Sequence, residues 1–257
     1  MLLIPPSNCP PAAIEKLRAL QDAVNSHATF AEKKATAERL WNNRTDNKPF
    51  EAVKTALLML CPNGYCCYCE TNEPSPVEHI WPKSHYPERA FLWENYLFAC
   101  HNCNSKHKLA RWAIFRAATG AEFDEETSWS GAPAIGNPVF LDLRAEDPQA
   151  LIRLDFETFL FEADTTDSRK CARVEYTINQ ILKLNERGLD SAREFAYDAY
   201  CERLTRLAQL APEERATKVP LFQGVPQRTV WKEMQRWHAR IPRLKGLFAA
   251  APEALTW

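Results

Sequence analysis

Apolar residues at Ile14, Leu17, Leu20 and Val24, and again at Ala37, Leu40 and Trp41, recur every three or four positions between charged neighbours, the period of a helix with one buried face. The stretch from Asn25 to Thr29 interrupts that period, so two helices are expected between Pro11 and about Trp41. Another is expected from Pro49, whose missing N–H costs nothing in a first turn, through Val53, Leu57 and Leu58 to Leu60, before Pro62-Asn63-Gly64 stops it. The pattern then shortens. Tyr65 to Glu70 and Val77 to Ile80 have the length of strands, and Cys100 to Trp112 has the length and lysines of a helix, a β-β-α order. Residues 119–137 mix Gly, Ser and Pro with the run Glu122-Phe123-Asp124-Glu125-Glu126, an acidic loop expected to end this module and to sit away from phosphate. Val139 to Leu143, Leu151 to Phe156 and Thr158 to Glu162 look like short strands or a hairpin. Helix periodicity returns from about Arg169 to Leu210, and a last helix runs from about Gln227 to a break at Pro242. The expected fold is α+β and mainly α-helical. A helical region covers 1–60, an inserted module 61–118, and a mainly helical region with a short β-hairpin 119–257.

Composition narrows the partners. With 257 residues, 46% of them hydrophobic, the chain can bury a core, and a formal net charge of -1 excludes a generally basic nucleic-acid coat. Any nucleic-acid surface must therefore be local. Six of the nine cysteines fall between Cys61 and Cys103, and the start of the chain shows neither an export leader nor a membrane-spanning run. Clustered thiols without a leader imply metal in a reducing compartment, so a cytoplasmic protein with no membrane partner is expected.

Cys66 and Cys69 form one Cys-x-x-Cys pair and Cys100 and Cys103 another, with thirty residues between them. Two such pairs close one tetrahedral four-sulfur zinc site, because sulfurs at that spacing on a tight turn reach adjacent corners. Cys67 should point to the opposite face from Cys66, and Cys61 ends an apolar helix; both are lesser candidates. On the cysteines alone, a plain structural zinc ribbon is an equal reading. What shifts the balance is Glu78-His79 in the insert and Asn104 after the second pair. Hydrolysis of a phosphodiester needs a metal to offset charge and a base to activate water. His79 can take the proton, while Glu78 and the Asn104 amide oxygen are hard ligands suited to Mg²⁺ or Mn²⁺.

These residues resemble the ββα-metal or HNH nucleases, in the version stapled by two Cys-x-x-Cys pairs. The resemblance implies that His79 is the first-strand general base, that Asn95 holds the connecting loop by backbone hydrogen bonds, and that Asn104 is a metal ligand on the final helix. His107 falls where many members have Lys and either touches phosphate or completes the metal site. Glu78 stands where Asp is commoner, and with Asn104 as a weak ligand this implies activity favouring Mn²⁺ or high Mg²⁺. A narrower resemblance runs from Cys66-Cys67-Tyr68-Cys69-Glu70 through Val77-Glu78-His79-Ile80-Trp81-Pro82-Lys83-Ser84 and Phe91 to Asn95, to Cys100 to Lys106 and then Thr177-Ile178, Leu184-Asn185 and Arg193. It looks like the HNH subunit of bacterial Septu anti-phage systems (PtuB-like), found also with some retrons. That implies an endonuclease effector, DNA favoured over RNA, working with an ABC-type or SMC-like ATPase (PtuA-like).

Basic residues add weaker expectations. Lys106, Lys108, Arg111 and Arg116 follow the proposed ligand, as if on one helix beside the chemistry, where they would contact phosphate. Arg228, Lys232, Arg236 and Arg240 recur every four residues, a self-repelling stripe suited to phosphate, to an acidic partner or simply to solvent. Two rival functions stand beside DNA cleavage: an RNA- or tRNA-directed nuclease, and a non-catalytic zinc knuckle that binds nucleic acid or protein.

Overall fold

The computed structural model describes residues 1–43, 48–116, 123–126, 131–133 and 136–257. It opens with three helices, α1 (Pro11–Asn25), α2 (Phe30–Asn42) and α3 (Lys48–Leu60). α1 starts on a proline and buries Ala13, Leu17, Gln21 and Val24 as one stripe. The break after α1 is made by Thr29 and Glu32. The Thr29 hydroxyl accepts from the Glu32 N–H, and Glu32 Oε2 accepts from the Thr29 N–H, so each end of the pair caps a donor that α2 leaves open. α1 packs on α2 and α3.

The central hairpin pairs β1 (Val77–His79) with β2 (Tyr96–Phe98) antiparallel, Glu78 opposite Leu97 and His79 opposite Tyr96. α1 reaches into the loop joining them: buried Gln21 accepts from the Phe91 N–H at 2.8 Å and donates to the Pro87 carbonyl at 3.2 Å. Two expectations are corrected here. Tyr65 to Glu70 is not a strand but a turn, closed by the Glu70 N–H donating to the Cys66 carbonyl at 2.9 Å and by Glu70 at φ 55°. A segment that brings two sulfurs to one side cannot remain extended. The helix expected over Cys100 to Trp112 is shorter. Its π-helical turns span Asn102–Lys108, it stops at Leu109 with φ 51°, and Trp112 already begins β3 (Trp112–Arg116).

β3 pairs antiparallel with β4 (Phe123–Glu126) and β5 (Gly136–Pro138). Part of the expected acidic loop is thus strand, while Glu122 and the expected boundary at 118/119 lie outside the described residues. Val139 to Leu143 is buried irregular chain rather than strand, and Phe140 from it contacts the rings of Tyr68 and Trp112. The later hairpin is present as β6 (Ile152–Leu154) and β7 (Phe161–Ala163). α4 (Ser168–Glu175) runs on into the π-helical Tyr176–Ile181; α5 (Leu189–Ala208), α6 (Pro212–Arg215), α7 (Val219–Gln223), α8 (Arg228–Trp237) and α9 (Pro242–Ala250) follow. The expected last helix is present as α8, and α9 is a further helix beyond the expected break at Pro242. α8 ends at Trp237, and Ile241 takes an extended conformation because a residue before proline avoids the helical region.

One long-range junction ties the cysteine turn to α8. The Thr229 N–H donates to Glu70 Oε2 at 2.7 Å, and Gln227 Nε2 donates to the Cys69 carbonyl at 2.8 Å. Asn63 Nδ2 donates to the Val225 carbonyl at 2.6 Å. The Glu70 carboxylate also meets the Met1 ammonium at 2.9 Å, which offsets its burial. Among the described residues, no helix is long and apolar enough to cross a membrane.

Candidate functional site

The turn after α3 and the start of the segment Asn102–Lys108 bring Cys66, Cys69, Cys100 and Cys103 together, with all four sulfurs within 4.8 Å of one another. Cys69 Sγ and Cys100 Sγ are 3.8 Å apart, the edge length of a tetrahedron whose arms are about 2.3 Å. Main-chain N–H groups of Tyr68 and Cys103 donate to the sulfurs of Cys66 and Cys100, each at 3.4 Å, and Arg187 Nη2 lies 3.8 Å from Cys103 Sγ. Such donors offset the negative charge that four thiolates bring to one ion. Hydrogen bonds from Cys100, Cys103 and Cys66 hold the Cys69 thiol below its ordinary range, whereas burial raises Cys66. The donor set is soft, buried and closed, and fits zinc as a structural ion. Cys61 and Cys67 lie outside it, their sulfurs 3.7 Å apart and Cys61 donating to the Leu57 carbonyl.

Beside this knuckle, β1 and the π-helical segment border a groove of about 480 Å³ that Trp41 of α2 walls. Glu78, His79, Lys83, Asn104 and Ser105 also line it. His79 Nε2 lies 3.0 Å from the Ala90 carbonyl, which can only accept, so Nε2 carries the hydrogen and Nδ1 the lone pair. The Tyr96 hydroxyl donates to that same carbonyl at 2.8 Å. Trp41 meets the imidazole edge-on at 4.3 Å between ring centres and Tyr96 at 5.2 Å, which fixes the ring plane. Asn95 is buried behind the groove. Its Oδ1 accepts from the Trp81 N–H at 2.8 Å, and its Nδ2 donates to the carbonyls of Trp81 and Arg89 at 3.0 and 2.9 Å, bridging the two ends of the loop.

Glu78 is 2% exposed. Burial pushes its carboxyl up, and Lys108, by charge and by hydrogen bonding, pulls it back. Lys108 Nζ stands 2.6 Å from Glu78 Oε1 as an ion pair, while its aligned hydrogen bond goes to the His79 carbonyl at 2.8 Å. Oε1 is thus taken up by the Lys108 ammonium. Asn104 Nδ2 donates to the Val77 carbonyl at 3.2 Å, which commits one of its two amide hydrogens and sets which side of the amide carries the accepting Oδ1. Glu78 and Asn104 thus bring a carboxylate and an amide oxygen, both hard donors, to the lining of one groove.

Several expected contacts are placed elsewhere. Lys108 is fully buried, so it is not a phosphate contact; its charge is spent on Glu78. His107 does not line the groove, and its nearest charges are Arg187, Lys106, Lys183 and Glu186; burial lowers its imidazole. Arg111 lies past the end of the π-helical segment and donates to the Gln180 carbonyl, whereas Lys106 is exposed. On α8, Arg236 pairs with Asp164 and Glu233 and donates to the carbonyls of Gln149 and Ile152. Lys232 donates to the main-chain oxygen of Trp257, and Arg240 lies beyond α8, against the Trp237 ring. Arg236 is thus neutralised inside the fold, whereas burial and the neighbouring Arg228 charge lower the Lys232 ammonium. Trp41 and Lys83 were not among the expected site residues. Trp41 comes from a helix 38 positions before His79, with no local spacing to mark it.

The geometry defines a four-cysteine metal knuckle that flanks a groove carrying a histidine, a carboxylate and an amide. A segment of the chain is 42% identical over 81 residues to the Septu protein PtuB of Bacillus thuringiensis, covering 29% of this chain and 30% of that protein. The chain is thus related to a Septu protein over that segment and spans less than a third of its length. No protein-family model matches the chain, and no solved structure does.

Proposed function

We propose that the chain is a metal-dependent HNH-type endonuclease that cleaves DNA as the effector of an anti-phage defence complex with an ATPase subunit. One observation carries this reading. The His79 ring is anchored through Nε2 and lines the same groove as Glu78 and Asn104. In this reading Nδ1 takes a proton from the attacking water, and the Ala90 carbonyl, accepting from Nε2–H, steadies the imidazolium that forms. Trp41 and Tyr96 keep the ring from turning out of line. Glu78 and Asn104 would hold a divalent ion, which supplies neutralisation of charge on the phosphate and the departing oxygen. Zinc on the four cysteines would tie the start of the Asn102–Lys108 segment to the turn that carries Cys66 and Cys69. The Septu likeness supports the defence role and, with it, a PtuA-like ATPase as partner.

The test is incubation of purified protein, alone and with a co-purified ATPase, with plasmid DNA and total RNA in Mg²⁺ or Mn²⁺. Wild type should cleave, faster in Mn²⁺ or high Mg²⁺, and His79→Ala should fold with its zinc and not cleave. Cleavage of RNA alone would replace the substrate. Full cleavage by His79→Ala would remove the base, and binding without cleavage under every condition would leave a zinc-knuckle binding module.

A further inference from the structure

A lysine with no solvent exposure beside a candidate metal ligand calls for a reason, because removing an ammonium from water is costly unless its partners repay it. Lys108 ends the π-helical segment Asn102–Lys108, and its polar partners belong to residues of the groove, the Glu78 carboxylate at 2.6 Å and the His79 carbonyl at 2.8 Å, with the face of Phe140 at 5.4 Å. Two of the three residues on which the proposed chemistry rests, Glu78 and His79, are therefore touched by one internal cation. A divalent ion bound to Glu78 Oε1 at about 2.1 Å lies within about 5 Å of that ammonium, where like charges repel strongly at any interior dielectric.

We propose that Lys108 is a tethered competitor for the divalent metal: it holds the Glu78 carboxylate in place before an ion arrives and weakens the affinity of the ion that does. It is a positioning residue. Its nitrogen reaches the carboxylate and the backbone of the base, and the reacting atoms lie beyond them. The consequence is a site that stays formed when empty and loads only at high ion concentration. This rests on the reading of Glu78 as a ligand.

The experiment is Mn²⁺ binding to the zinc-loaded full chain, read by the loss of free-ion electron paramagnetic resonance signal, with no nucleic acid present. Lys108→Met keeps the length and apolar stem and removes the charge, and should bind Mn²⁺ tighter by at least about tenfold. Lys108→Arg, which keeps the charge, should bind as weakly as wild type. Lys108→Gln, which keeps a donor for the His79 carbonyl, serves if the methionine variant does not fold, and should also bind tighter. A merely structural lysine would give neutral variants that bind equally or more weakly, and that result overturns the proposal while leaving the site reading intact. Binding that is absent throughout, or indifferent to Glu78→Gln, overturns the ligand assignment and this proposal with it.

Discussion

Replacing Asn95 by alanine tests whether the loop between β1 and β2 is held by one side chain. The amide makes three bonds in a nearly dry site: it accepts from the Trp81 N–H and donates to the carbonyls of Trp81 and Arg89. Alanine leaves one buried donor and two buried acceptors without that partner. At about 1 kcal/mol for each bond, the loss is about 3 kcal/mol, or about a hundredfold in the local opening constant. Amide hydrogen exchange of the segment 80–92 reads that opening without requiring the whole chain to unfold in one step. Exchange there should rise about a hundredfold, with the β6–β7 hairpin as the unaffected internal reference. Asn95→Asp keeps an acceptor for the Trp81 N–H but sets a carboxylate oxygen against two carbonyls, so it should not restore protection. A rise of less than about threefold in Asn95→Ala would refute the reasoning, since it would mean that neighbouring contacts hold the loop alone.

Two further outcomes follow from the site and its surroundings. Cys100→Ser should release zinc and loosen the Asn102–Lys108 segment, measured as metal content after gel filtration and as near-ultraviolet circular dichroism; full zinc retention would remove Cys100 from the ligand set. Burial raises the Asp142 carboxyl, so the folded state binds its proton more tightly than the unfolded chain, and its stabilising contribution is complete below the usual carboxylate value and lost as pH rises through the raised one. Melting temperatures across about pH 3 to pH 7 should therefore show the cost of Asp142→Asn shrinking as pH rises, and a constant cost would count against a raised value.

What could be read from the sequence was what short spacing dictates. Two sulfurs three positions apart must turn toward one another, so Cys66, Cys69, Cys100 and Cys103 were legible as one set, and the N-terminal helices were legible because a buried stripe repeats with the helical turn. The same local logic failed where a distant partner decides. Tyr65 to Glu70 carries strand-like residues, but the cysteine turn bends it, and β2 went unmarked because its three residues acquire strand geometry only by pairing with β1. Lys108 sits in a run of basic residues that looks solvated in sequence, yet a carboxylate thirty positions earlier draws it inside. The partners of Arg236 on the α8 stripe were illegible for the same reason, since Asp164 and the carbonyls that receive it belong to other elements.

The junction at Glu70 bears on the order in which the protein is made. By the time Cys103 has left the ribosome, every sulfur of the knuckle is available, yet the Cys69 carbonyl and the Glu70 side chain still lack the Gln227 and Thr229 groups that satisfy them, which are 158 and 159 positions further along their respective pairs. A nascent chain can therefore gather its zinc ligands early, but it finishes that corner only when α8 emerges. Synthesis itself delays the finished corner until Thr229 has emerged, long after the last of the four cysteines.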